Sequence, residues 1–219
     1  MARRRPPDLR RRGPQRDPKR RFFIFCEGAR TEPAYFAALR RACADALIEV
    51  QTIAPAGVPY TLAQSAAEQA RELGLGRGSR KALNSFEERD EVWAVFDRDE
   101  HPRYLEAVRL CEDIGVGVGR SNPCFELWLI LHEADFDRPD DRHAVQAHIR
   151  ALRPEYDPAK GKTPDCANLI ARIEQAETRA EAQLARRDAE GNAHGRPSTT
   201  VWRLTRTIRS AAQRARGTR

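Results

Sequence analysis

Two short runs, Phe22-Phe23-Ile24-Phe25-Cys26 and Val92-Trp93-Ala94-Val95-Phe96, are apolar at every position, and each is followed at once by an acid, Glu27 or Asp97. A strand with one wet face alternates apolar and polar side chains. A run without alternation reads as a strand covered on both faces, as in a parallel sheet between helices. Ile48 to Ile53 and Val116 to Val118 supply a second and a fourth strand. The intervening segments carry apolar residues at helical spacing: Tyr35, Leu39, Cys43 and Leu47 after Thr31; Leu62, Ala66 and Leu73; Tyr104, Val108 and Cys111, closed by Gly115. Strands alternating with helices predict an α/β fold, a four-stranded parallel sheet flanked by helices.

After Arg120 the pattern turns to helices alone. They are expected over Pro123 to Glu133, over Asp141 to Leu152, and as one long helix after Pro164 that carries Cys166, Leu169, Ile173, Ala176, Ala180 and Leu184. A last helix begins near Ser198, which reads as its N-cap. Residues 1–20 hold Arg, Pro and Asp with hardly an apolar side chain, and a chain of that kind cannot offset its ordering entropy. The expected organisation is a disordered tail over 1–20, an α/β domain over 21–120, and a helical subdomain over 121–219 with a basic end.

Charge is divided unevenly along the 219 residues. Residues 1–21 carry ten Lys/Arg and two Asp, residues 203–219 carry six Arg and no acid, and the body between them is net −7. Cationic ends attract polyanions by counterion release, with Arg3, Arg4, Arg5, Arg10, Arg11, Arg12, Arg206 and Arg209 as candidate nucleic-acid contacts. The other reading of both ends is a pair of solubilising tails. No stretch approaches the roughly 18 apolar residues of a membrane span. Five scattered cysteines without a CxxC pair argue against a zinc ribbon and for a reducing, cytoplasmic setting.

In parallel α/β sheets, ligands bind beyond the carboxyl ends of the strands. Glu27 stands there after the first strand, and Asp97 and Asp99 stand there after the third. Carboxylates at i and i+2 of an extended segment point to one side. Three converging carboxylates repel one another unless a cation lies among them, and hard oxygen donors suit Mg²⁺ or Mn²⁺. Glu126 lies inside the apolar run Phe125 to Leu131, where an ionised group is costly unless paired or bound to a cation. It is either a further member of the metal site or the partner of an Arg at the helix edge. Asn122, four residues earlier, shares its face if the helix already includes it. His101 and His132 are candidates to orient phosphate or move a proton, and Lys160 is a candidate to place positive charge near a phosphate.

Other motifs fail on their own terms. Gly161-Lys162-Thr163 resembles the end of a P-loop, but Tyr156 stands where the first Gly is needed. The Gly74 to Gly78 loop follows a helix, not a strand. Asp135, Asp137, Asp140 and Asp141 lack the Gly of a calcium loop.

Phe25-Cys26-Glu27-Gly28 with Thr31-Glu32 and Tyr35-Phe36 resembles the opening of RloB-like proteins. So do Phe96-Asp97-Arg98-Asp99 with His101, Ser121 to Leu129 with His132, and Pro197 to Val201. That family is similar to a branch of the Toprim superfamily, whose signature is a Glu after the first strand and a DxD after the third. Glu27, Asp97 and Asp99 match it, and Glu32 joins the supporting residues. The resemblance implies a Mg²⁺-dependent nuclease acting on DNA or RNA. It also implies a place in antiviral, abortive-infection defence beside an ATPase partner. Two alternatives are a nucleic-acid-binding or regulatory subunit without turnover alone, and an RNA-processing Toprim nuclease. Whether the chain forms a homo-oligomer is open.

Overall fold

The structure, a computed structural model, describes residues 20–43, 48–53, 58–75, 90–98, 101–157, 160–161 and 163–217. Asp99, the six arginines between residues 3 and 12, and the tail as far as residue 19 lie outside the described residues.

Strands β1 (Arg20–Cys26), β2 (Ile48–Ile53), β3 (Glu91–Asp97) and β4 (Gly117–Asn122) pair in parallel. A short β5 (Ser198–Thr199) joins β4 antiparallel, and the sheet order is β2-β1-β3-β4-β5. The chain leaves β1 for one edge at β2 and returns past β1 to β3. The neighbouring carboxyl ends of β1 and β3 therefore form the point where strand order reverses, the usual place for a ligand crevice.

Both apolar runs are covered on both faces. Phe22, Ile24 and Cys26 of β1, with Trp93 and Val95 of β3, belong to one core. It is completed by α1 (Thr31–Ala42), α4 (Glu126–Glu133), α5 (Arg142–Leu152), α6 (Cys166–Ile170), α7 (Ile173–Ala189) and α8 (Val201–Gly217). Phe23 and Phe25, with Val92, Ala94 and Phe96, face α2 (Pro59–Glu72) and α3 (Tyr104–Ile114). Burial on two sides removes the alternation that a half-exposed strand would show. Among the described residues, no helix is long and apolar enough to cross a membrane. All five cysteines are unpaired and buried.

Several boundaries differ from expectation, each for a physical reason. β1 starts at Arg20 rather than Phe22, because Arg20 pairs with Glu91, and the Arg21 Nε donates to Asp90 at 2.9 Å. β4 runs on to Asn122 instead of stopping at Val118. Its polar end is buried but satisfied: the Arg120 N–H donates to Thr200 Oγ1 at 3.0 Å, and Ser121 Oγ meets Thr199 Oγ1 at 3.0 Å. Gly117 opens this strand because a Cβ there would stand 2.4 Å from the Trp93 ring.

The region after Arg120 is thus not helical throughout, since β5 adds a fifth strand to the expected four. Ser198 lies in β5, where its hydroxyl donates to the Gly195 carbonyl at 2.7 Å, so it does not cap α8. The expected long helix is two helices, α6 and α7, separated at Ala171-Arg172. Thr31 is the first residue of α1 and makes no capping bond there.

Candidate functional site

The carboxyl ends of β1 and β3 meet through a side chain. The Glu27 N–H donates to the Val95 carbonyl at 3.0 Å, extending the strand ladder one step. Glu27 then turns its carboxylate across to β3, where Oε2 accepts the Asp97 N–H at 3.0 Å. Two residues expected to act together are joined in this way by the backbone of one and the side chain of the other. His101 stands with Nε2 3.6 Å from Glu27 Oε1.

Glu32, in the first turn of α1, folds back over the turn after β1, and its Oε1 accepts the Gly28 N–H at 3.1 Å. This return contact requires glycine at 28, because a Cβ would lie 2.1 Å from Glu32 Oε2. Glu126 enters from the start of α4. Its Oε1 accepts from the Tyr156 hydroxyl at 2.8 Å and from Gln146 Nε2 at 3.2 Å. Tyr156 Oη also lies 3.4 Å from Thr31 Oγ1, which ties this network to the start of α1. Among the described residues, the partners of Glu126 are a phenol and an amide rather than the Arg considered for it, and neither neutralises it.

Asp97, Glu32 and Glu126 are each only 6% exposed. Burial pushes the Asp97 carboxyl well above its ordinary range, and the charges of Glu32, Glu126 and Glu27 push it further; Arg142 opposes them. The Arg142 guanidinium lies 4.0 Å from Asp97 Oδ2. Burial also raises Glu32, aided by the Glu126 and Glu27 charges, while backbone N–H groups pull it back. Desolvation and like charge act in the same direction here, as expected for acids sharing one site. Among the described residues, no group of three or more His, Cys, Asp or Glu side chains is arranged so that it could hold a metal ion. The arrangement is, among the described residues, a set of hard oxygen donors in which three acids and one arginine act on Asp97.

The remaining candidates sit elsewhere. Asn122 is at the end of β4, not in α4, and does not share a helix face with Glu126. Its Nδ2 donates to the His194 carbonyl at 2.8 Å, and its Oδ1 accepts from Arg196 Nε at 3.4 Å. His132 is 0% exposed. Its Nδ1 lies 2.9 Å from the Trp128 carbonyl, which can only accept, so Nδ1 carries the proton. Nε2 then accepts the Tyr35 hydroxyl at 3.1 Å. Burial pushes its pKa down to about 4, and its bonds place it in the core as a neutral, structural imidazole.

Lys160 is 75% exposed at its side chain and pairs with Asp157 at 3.3 Å. Arg206 donates to Glu181 at 2.8 Å, and Arg209 pairs with Glu177 at 2.8 Å and with Glu174. These two arginines serve the seam between α7 and α8, so phosphate would have to compete with protein carboxylates for them.

Sequence reasoning missed Gln146, Arg142, Arg196 and the role of Tyr156 toward Glu126. Gln146 and Tyr156 lie 20 and 30 residues from Glu126, on elements whose own patterns carry no trace of the contact. The close approach of Glu32 to Gly28 likewise has no local signature.

A family model described as RloB-like protein matches residues 22–208 of the chain. That span includes every described carboxylate of the cluster. No curated protein and no solved structure matches the chain.

Proposed function

The chain belongs to the RloB-like family, and we propose that it is a Toprim-type endonuclease that uses Mg²⁺ or Mn²⁺ to cut nucleic-acid phosphodiesters. One observation carries this reading. Asp97 is buried at the reversal point of a parallel sheet, among Glu27, Glu32 and Glu126, with its carboxyl held far above its ordinary range. A chain does not concentrate acids in its interior without a compensating charge, and the donors are all of the oxygen type that hard divalent ions prefer. Glu27 and Asp97 would hold the ion, with Asp99 assigned to it from its place two residues beyond Asp97 and Glu126 from its place in the cluster. A bound divalent ion supplies charge neutralisation at a phosphoryl oxygen and lowers the pKa of coordinated water.

The chain's own residues do the rest. Glu27 gives Oε2 to the Asp97 N–H and has Oε1 3.6 Å from His101 Nε2; the alternative to its ligating the ion is that Oε1 takes the proton of an attacking water. In that alternative His101 would pass the proton on. Tyr156 and Gln146 fix Glu126, and the short span from Gly28 to Glu32 fixes the second buried acid. Family membership supports the further proposal that this cutting serves antiviral, abortive-infection defence in the cytoplasm, together with an ATPase partner.

The test is cleavage of DNA and of RNA by the wild-type chain and by Asp97→Asn, with Mg²⁺ and with EDTA. Cleavage of either polymer that needs the ion and drops by a factor on the order of 10²–10³ in Asp97→Asn supports the reading. Ion-independent cleavage, or a folded mutant with wild-type cleavage, refutes it.

A further inference from the structure

Beside the carboxylate cluster lies a second construction that the cluster does not need. The loop 193–196 is held by its backbone carbonyls, each accepting from a side chain. Arg120 donates to the Ala193 carbonyl, and Arg98 and Asn122 both donate to the His194 carbonyl. Ser198 donates to the Gly195 carbonyl, and Arg187 donates to the Arg196 carbonyl at 3.1 Å. With four consecutive carbonyls turned inward, the loop presents the exposed Arg196 side chain outward from a fixed base. Its Nε rests 3.4 Å from Asn122 Oδ1, at the end of the strand whose Ser121 is in register with Asp97.

A second guanidinium approaches the same strand ends from α5. Asp141 caps this helix, its Oδ1 accepting the Ala144 N–H at 2.8 Å, which sets the backbone of Arg142. The Arg142 guanidinium lies 4.0 Å from Asp97 Oδ2. Arg142 therefore stands at the end of β3 and Arg196 at the end of β4, and these two strands are neighbours in the sheet with Asp97 opposite Ser121. Both are built on anchored backbone, Arg142 in the first turn of α5 and Arg196 in the loop held by its carbonyls.

We infer that Arg142 and Arg196 form a two-guanidinium clamp that grips phosphates of the nucleic-acid backbone at the rim of the carboxylate cluster. This rests on the nucleic-acid reading proposed above and adds the residues that hold the strand. Planar, always-charged guanidinium groups suit phosphate oxygens, and phosphate contacts position a strand without reading its sequence. The clamp also explains why a site with surplus negative charge can receive a polyanion at all. The strand meets fixed positive charge before it meets the carboxylates.

The test is binding of short labelled DNA and RNA oligonucleotides by the full chain across a salt series, with Ca²⁺ in place of Mg²⁺. Arg142→Ala, Arg196→Ala and the double variant are compared with Arg109→Ala, an equal charge change on α3 at the other face of the sheet. Each single clamp variant should flatten the log K against log salt slope by about 0.7–0.9, the value of one lost phosphate contact. The double variant should flatten it by about twice that, and Arg109→Ala should leave it unchanged. Arg142→Lys and Arg196→Lys should keep the slope, because the charge remains. Wild-type binding with slopes unchanged in the clamp variants, or equal flattening by Arg109→Ala, overturns the clamp alone. Absence of wild-type binding to either polymer overturns the nucleic-acid reading and the clamp with it.

Discussion

Two buried acids in this molecule, Glu177 and Asp97, are differently compensated. In the seam between α7 and α8, Glu177 is 3% exposed. Burial leaves its carboxyl raised, with Thr205, Arg209 and Arg206 all pulling it back toward its ordinary range. Thr205 Oγ1 donates to one oxygen at 2.9 Å and Arg209 to the other at 2.8 Å. At the ends of β1 and β3, Asp97 is surrounded instead by three acids, all of which raise it further, with Arg142 at 4.0 Å. Burial alone therefore does not mark a site. The distinguishing feature is the balance of charge among the described residues, in which arginines lower Glu177 while three acids outnumber one arginine around Asp97.

The largest effect that could break this comparison lies in the seam. Arg209→Met removes the closest cation from Glu177 and leaves a buried charge behind. It should cost about 3 kcal/mol, the usual scale for halving a buried pair, read from urea unfolding. A loss too small to measure would mean that the seam is not compensated by this arginine.

The next effect separates the two regions by pH. His132 has a folded pKa of about 4, below its ordinary 6.5. The unfolded chain therefore takes up a proton first as pH falls, so this group stabilises the fold above pH 6.5 and loses that stabilisation on the way down. Asp97 and Glu32 are raised, so in the absence of metal the folded chain takes up their protons first. Acidification through their raised values then stabilises the fold, opposite in sign to His132. Comparing wild type with His132→Gln in EDTA isolates the imidazole. The stability difference between them should shift by about 2 kcal/mol from pH 6.5 to pH 5. A constant difference would show that His132 is not held neutral.

A smaller effect sharpens the site itself. Glu126→Gln keeps the oxygen that accepts from Tyr156 and Gln146 but removes one charge from the cluster. Unfolding in EDTA should be unchanged or more difficult by about 1 kcal/mol. Divalent-ion affinity should fall by roughly 10–100-fold, the scale of a lost supporting contact. Lower stability with wild-type ion affinity would return Glu126 to a purely structural role.

What could be read in the sequence follows from what has a local signature. The two unalternating runs identify strands buried on both faces because that burial erases the period of two, and the acids that end them fall where strand order reverses. β5 leaves no such trace. It has two polar residues, Ser198 and Thr199, that pair with Asn122 and Ser121 from 76 and 78 residues away. Asn122 was read with the helix that follows it, yet its side chain serves the 193–196 loop. His132 was weighed as a proton carrier, but its apolar neighbours Leu129 to Leu131 signal a core position, and both its nitrogens are engaged there. The partners of Glu126 come from α5 and from Tyr156, and only tertiary packing brings them together.

The central claim is that the surplus charge around Asp97 is balanced by a divalent cation. Thermal unfolding of the wild-type chain and of Asp97→Asn, each with EDTA and with Mg²⁺ or Mn²⁺, tests it most directly. The account predicts that the ion stabilises the wild type, by about 2.7 kcal/mol at a hundred times its dissociation constant. It predicts that Asp97→Asn is the more stable of the two in EDTA, because a repelling acid is gone, and that it gains little or nothing from the ion. A wild-type chain whose unfolding ignores both ions, or an Asp97→Asn variant that gains as much as the wild type, would contradict it.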